Sequence, residues 1–187
     1  ALQKGVCAKD MMLHMIGKFG MNGGNYQAVE FAGDTVRGLG MQERMTLSNM
    51  SAEMGAQVGL IAADSTTRDY LKSVGLSEAV IDQCDYFETD DNADCQRFDF
   101  EASQLSPQVA APHSPENTKA VGEYVHVKPS VAYIGACTGA KLADLRAHLP
   151  KTLHAHVAAE LHKDLAKNPL HDLPPHFAKV SETAEEA

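Results

Sequence analysis

With 187 residues the chain is long enough for one full core, or one domain and part of a second. Its 25 acidic residues against 16 Lys and Arg leave a net charge of -9, which argues against a nucleic-acid surface, because phosphate binding depends on clustered cations. Hydrophobic residues make up 44% of the chain, yet no apolar run approaches the length that spans a bilayer, so a soluble or peripheral protein without a transmembrane segment is expected.

In chain order, "AKDMMLHMIGKF" (8–19) puts Met11, Met12, Met15 and Ile16 at helical spacing, and the glycines of "GMNGG" stop that helix. "YQAVEFAG" reads as a strand ending at Gly33, with Asp34 as the cap of a short helix. "MQERMTLSNMSAEMGAQ" (41–57) reads as one long helix, its Met41, Met45, Leu47 and Met54 near-periodic. "VGLIAA" is a short buried strand, and Asp64 is the N-cap of a helix over "STTRDYLKSV". Helices and strands therefore alternate, which gives an α/β fold class.

From Asp82 to Asp94 six carboxylates in close succession mark an exposed acidic connector, without the ordered spacing of a calcium loop. "RFDFEAS" alternates Phe98 and Phe100 with polar residues as a half-buried strand does, and a Pro-bearing stretch then leads to a second βα unit from about residue 130. There "YIGACTGAKLADLR" (133–146) places Cys137 on a glycine-rich turn into a helix. Helix-start amides favour a thiolate or a substrate carboxylate, so Cys137 suits metal, redox or nucleophilic chemistry; a small buried residue filling the turn is the alternative. A cysteine hydrolase pairing Cys137 with His113 or His126 is a further possibility.

"TLHAHVAAELHKDLAK" (152–167) carries Leu153, Val157, Leu161 and Leu165 as one apolar stripe behind a Thr152 cap. The histidines crowding this end form no helical i, i+4 ligand pair. An extended Pro-bound arm and the acidic tail "SETAEEA" follow. Cys7, Cys84, Cys95 and Cys137 are scattered with no CxxC, which favours a reducing, intracellular compartment. Beginning "ALQKGVCAKD", the chain is expected to be a processed form, a fragment or a trimmed form.

"VEFAGDTVRGLGMQERMTLSNMSAEMGA", "PQVAAPHSPENTKAV" and "YIGACTGAKLADLR", taken together and in order, resemble the aconitase superfamily, most of all the large subunit of 3-isopropylmalate dehydratase. The resemblance covers residues 1 to about 149, and "CTGAK" is similar to the plastid and cyanobacterial form of that subunit. It implies a hydro-lyase that moves a hydroxyl between adjacent carbons by way of an alkene, with a 4Fe-4S cluster whose fourth iron is free for substrate. Such a cluster takes three cysteine thiolates. The resemblance implies Cys137 as the first, and Asn49 and Glu53 of the NMxxE helix as the residues approaching cluster and substrate. Four apart on one expected helix, they would project from one face.

The chain departs from that pattern in three ways. The downstream CxxC of the family does not occur, Cys7, Cys84 and Cys95 lie on segments that supply no family ligand, and the His-Asp-His acid-base motif is absent. The expectation is therefore no cofactor in the isolated chain, and a 4Fe-4S cluster only with ligands supplied in trans. Residues 1–82 are expected as an aconitase-like α/β domain, 83–129 as a connector, 130–149 as a truncated βα unit, and 150–187 as a helical extension foreign to the family. Residues 150–180 are expected to dock onto other protein subunits. The expected function is a non-catalytic structural or accessory subunit in which Asn49 and Glu53 are vestiges. One piece of a split hydro-lyase is the alternative. The resemblance implies a mitochondrion or plastid in a eukaryote and the cytoplasm otherwise.

Overall fold

Cys7 and Asp10 start the first helix, α1 (Ala8–Phe19), as a pair: Asp10 Oδ2 accepts from the backbone N–H of Cys7 (2.8 Å) and from its thiol (3.1 Å). A carboxylate three residues into a helix that closes back on the N-cap satisfies donors the helix itself leaves open. Met12 and Ile16 are fully buried on the inner face, while Met11 and Met15 pack at its edge, as the spacing predicts. Gly20 ends the helix, its N–H bonding Ile16 O at 2.7 Å.

The computed structural model describes residues 1–84, 86–131 and 138, all within one unit, Ala1–Gly139. The second βα turn apart from residue 138, the C-terminal helix, the arm and the tail lie outside the described residues. After α1 come β1 (Ala28–Glu30), α2 (Asp34–Arg37), α3 (Met41–Met50), β2 (Val58–Leu60), α4 (Ser65–Ser73), α5 (Glu78–Ile81), β3 (Gln108–Ala110) and β4 (Thr118–Ala120). Strands β1 and β2 pair in parallel with Val29 opposite Gly59, so the crossover through α2 and α3 makes a βαβ unit and bears out the α/β reading. A core of Met12, Leu13, Ile16, Phe31, Leu47, Met50 and Met54 lies where α1 and α3 meet that sheet.

Four expectations need correction. The long helix over 41–57 ends at Met50, because Ser51 Oγ bonds back to Leu47 O (3.0 Å) and the chain tightens into a 3-10 turn at Ala52–Met54. The strand expected as buried at 58–63 is three residues long, with Val58 and Leu60 exposed; within this unit α3 covers the other face, and there only Gly59 is buried. Asp34 does not cap α2; Gly33 holds that position and Asp34 pairs with Arg37 instead. "RFDFEAS" forms no strand: Phe98 and Phe100 do turn to one side, both meeting Phe19 edge-on at 4.9 and 5.8 Å, but no neighbouring strand supplies a ladder.

Within the expected connector, β3 and β4 form an antiparallel hairpin, with Val109 opposite Lys119. It is tied to α1 by Asp10, whose Oδ1 accepts from Gln108 N at 2.7 Å. Burial holds the Cys7 thiol back, pushing it up to about 11, and the Asp10 carboxylate adds to the effect. That thiol therefore stays protonated at neutral pH and serves as a helix cap, not as a nucleophile.

Arg44 on α3 is the most tightly held polar side chain of the unit. It is 2% exposed, and its guanidinium donates to both Asp64 oxygens (2.7 and 2.8 Å), to Leu39 O (3.0 Å) and to Arg37 O (2.8 Å). Asp64, the N-cap expected for α4, also accepts from the N–H groups of Thr66 and Thr67. The hydrogen bonds from Arg44 are the chief cause that holds the Asp64 carboxyl below its ordinary range.

Two predictions follow from this packing. A Cβ built on Gly59 falls 1.8 Å from Ser51 Oγ, so Gly59→Ala forces α3 away from β2 and should cost about 2 kcal/mol, read as a lowered urea midpoint. A depressed carboxyl pKa contributes stability above the unfolded value and loses it as pH falls through the folded one. Asp64→Asn should therefore cost about 1 to 3 kcal/mol near neutral pH, less than a fully buried pair because Asp64 is 33% exposed. The gap to the parent chain should close below about pH 4.

Candidate active-site turn

Glu53 sits in the middle of the 3-10 turn between α3 and β2. The turn is closed by Met54 N to Ser51 O (3.2 Å) and Gly55 N to Ala52 O (2.9 Å), and Gly55 takes the left-handed conformation at φ 79° that lets the chain reverse into β2. A Cβ there would fall 2.4 Å from Met21 O, so the turn and the loop after α1 are in direct backbone contact. Two hydrogen bonds lock them: Gly24 N to Met54 O and Tyr26 N to Gly55 O, each 2.8 Å.

On this rigid support the Glu53 side chain is half-buried, and its Oε2 is shielded from solvent with no hydrogen-bond partner among the described residues. Buried polar atoms are almost always paired, and an orphaned carboxylate oxygen loses its hydration without compensation. Such an atom is poised to accept from a group that is not part of the described unit.

Asn49 lies in the last turn of α3 and is exposed. Because the helix ends at Met50, Asn49 and Glu53 stand on either side of a helix end instead of on one continuous face. Cys137 lies outside the described residues; its neighbour Thr138 is placed, 7% exposed, with its carbonyl accepting from Thr46 Oγ1 at 2.7 Å. The link from α3 to residue 138 is a contact that sequence reading missed. Its only signal is a threonine in mid-helix, three residues before Asn49.

The other cysteines do not assemble into a ligand set. Cys7 is occupied as a cap, Cys84 and Cys95 are exposed, and among the described residues no three His, Cys, Asp or Glu groups gather as a metal site. The orphaned Glu53 oxygen fits a site in which a ligand meets this turn, and the chain supplies one family thiolate position, Cys137, toward a cluster. His113 and His126 are exposed, and His113 takes φ 84° in the β3–β4 loop. Asn25 and Tyr26 are also left-handed, in the loop that packs on the Glu53 turn. Tyrosine carries no sequence signal for that conformation, so this strain was not foreseeable.

Two cavities lie elsewhere. One of about 230 Å³ is lined by His14, Gly17, Lys18, Gln108 and Thr118, between α1 and the hairpin. A smaller one of about 110 Å³, lined by Glu30, Arg37 and Arg44 among others, opens at the C-terminal ends of β1 and β2. No described helix is long and apolar enough to cross a membrane.

Residues 1–130 match the model of the aconitase family (aconitate hydratase). The chain is 41% identical over 170 residues to the 3-isopropylmalate dehydratase large subunit of Elusimicrobium minutum, an alignment covering 90% of this chain and 37% of that protein. It is 40% identical over 148 residues to the corresponding subunit of Halothermothrix orenii, covering 78% of this chain and 34% of that one. It is also 40% identical over 145 residues to the probable methanogen homoaconitase large subunit of Methanosarcina mazei, covering 78% and 36%. The chain thus spans little more than a third of the length of these relatives. Since the first alignment covers 90% of the chain, it extends past residue 149, where the motifs of the resemblance end.

The orphaned oxygen yields a prediction. Glu53→Met keeps the side-chain length and removes the unpaired buried atom, so the variant chain should be more stable than the parent by about 1 kcal/mol in urea unfolding. A loss of stability instead would mean that Oε2 is held by a partner within the chain.

Proposed function

Because the chain belongs to the aconitase family, we propose that it is the part of a 4Fe-4S hydro-lyase that presents Glu53 to a hydroxylated carboxylic acid of the malate type. The observation that supports this is the buried, unpaired Glu53 Oε2 on a backbone turn fixed from two sides. A carboxylate used for proton transfer must meet the reacting group directly, and one already paired within the protein is poorly available for that. Stability given up at such a position is characteristic of sites kept for chemistry.

In this reading Glu53 takes or returns the proton as water leaves one carbon and re-enters at its neighbour, and the exposed Asn49 amide donates to the substrate. The cluster, when bound, supplies an open iron as the Lewis acid for the hydroxyl. Cys137 holds one corner of it, and the remaining ligands come from elsewhere in the assembly. The relatives are named as large subunits. We extend this to a partner subunit for the present chain, docking through residues 150–180. The substrate class follows the relatives named for 3-isopropylmalate and homoaconitate chemistry.

The test is complementation under anaerobic conditions. The chain is co-expressed with the parts of the Elusimicrobium minutum protein that its alignment leaves uncovered, and alkene formation from a 2- or 3-hydroxy acid is followed by ultraviolet absorbance. Turnover is expected, with a loss of at least about a hundredfold in Glu53→Gln, in line with removal of a general acid-base group. The chain alone should take up well under the full complement of four irons. An assembly that forms without turnover or cluster iron would support the non-catalytic accessory reading instead.

A further inference from the structure

Thr46 is 5% exposed in the middle of α3, a place where an apolar residue would suit both the helix and the burial. A helical threonine ordinarily satisfies its hydroxyl on the carbonyl four residues back, and Thr46 Oγ1 does lie 3.1 Å from Gln42 O. Its shorter bond, 2.7 Å, goes instead to the carbonyl of Thr138, ninety-two residues along the chain and itself buried. In that bond the hydroxyl proton reaches out of the helix to a second segment. An α-helix needs no such contact to form.

What it holds is defined by covalent geometry. Cys137 is bonded to Thr138, so its Cα lies about 3.8 Å from that of the anchored residue. On the helix side, Asn49 is three residues beyond Thr46 and shares its face, one turn nearer the Glu53 turn. One buried hydrogen bond therefore ties the segment carrying Cys137 to the face of α3 that leads to Glu53.

We propose that Thr46 is a positioning residue: by donating to the carbonyl of Thr138 it fixes the turn that bears Cys137 against the Asn49 face of α3. The importance of that placement for catalysis rests on the function proposed above, but the anchoring does not, and it is tested without turnover. Removing the hydroxyl leaves a buried carbonyl unpaired, which drives the 138 segment toward solvent.

The experiment is native-state alkylation of the full chain by iodoacetamide, with the rate at each cysteine read by peptide mass spectrometry. Cys84 and Cys95, both exposed, give the unprotected rate, and Cys7, held at the start of α1, reports whether the unit stays folded. Thr46→Val and Thr46→Ala should each speed alkylation of Cys137 about fivefold or more, the scale of one buried hydrogen bond, while Cys7 keeps its parent rate. Thr46→Ser, which keeps the hydroxyl, should restore the parent rate at Cys137. An unchanged Cys137 rate in Thr46→Val overturns the proposal. So does a Cys137 rate that rises only in step with Cys7, since that reports loss of the whole fold and not of one anchor. If Cys137 responds as expected while the complementation assay shows no turnover, the anchor stands and the hydro-lyase reading falls.

Discussion

The buried guanidinium of Arg44 is the constraint around which the described unit is arranged. Its four hydrogen bonds reach the loop after α2, through Arg37 O and Leu39 O, and the start of α4, through Asp64. A buried cation is tolerated only when its donors are met, so the loop carbonyls and the Asp64 carboxylate have to converge on one point. Asp64 simultaneously caps α4, and the direction of that helix away from β2 is thereby coupled to the position of α3. Arginine suits this role because its planar fork meets a carboxylate with two parallel bonds and still has donors for the backbone.

With its first half fixed by Arg44, α3 can press on the sheet and end where the candidate site begins. Ser48 Oγ donates to Gly59 O at 2.7 Å, and the absence of a side chain at Gly59 lets Ser51 lie against the strand. Ser51 then turns its hydroxyl back into the helix, and the tightened turn that follows delivers Glu53. The loop after α1 completes the support from the other side. Its cost is visible as left-handed backbone at Asn25 and Tyr26, sustained by hydrogen bonds to the turn carbonyls. Glu53 thus projects from a place that packing has made stiff, as a residue meant to meet a ligand requires.

The two ends of the parallel pair are used differently. At the C-terminal ends of β1 and β2, where open α/β sheets commonly bind ligands, the guanidinium of Arg44 is consumed by structure. The unpaired polar atom lies at the other end, on the turn that enters β2. The chain's candidate chemistry follows the family position of Glu53 and not the general rule for the fold class.

Residue type and spacing alone determined much of this protein. The span of α1, the Asp64 cap, the alternation of helices and strands and the candidate position of Glu53 were legible because each rests on local chemistry: apolar period, a carboxylate before a helix, a motif in register. The aconitase-family membership was legible in the same way, from motifs whose order the comparisons match. Other features depended on neighbours that sequence does not display. The helix over 41–57 has helical propensity throughout, yet it stops at Met50 because a strand with glycine at position 59 draws Ser48 and Ser51 toward it. Phe98 and Phe100 alternate as a strand does, but a ring at position 19 uses them without a ladder. Arg44, Thr46 and Cys7 read as an ordinary charge, a mid-helix hydroxyl and a spare thiol, and each takes its role from a partner: Asp64, Thr138 and Asp10. Tertiary structure decided these because burial removes water as the alternative partner, and a buried polar atom must then find its bond wherever the chain places one.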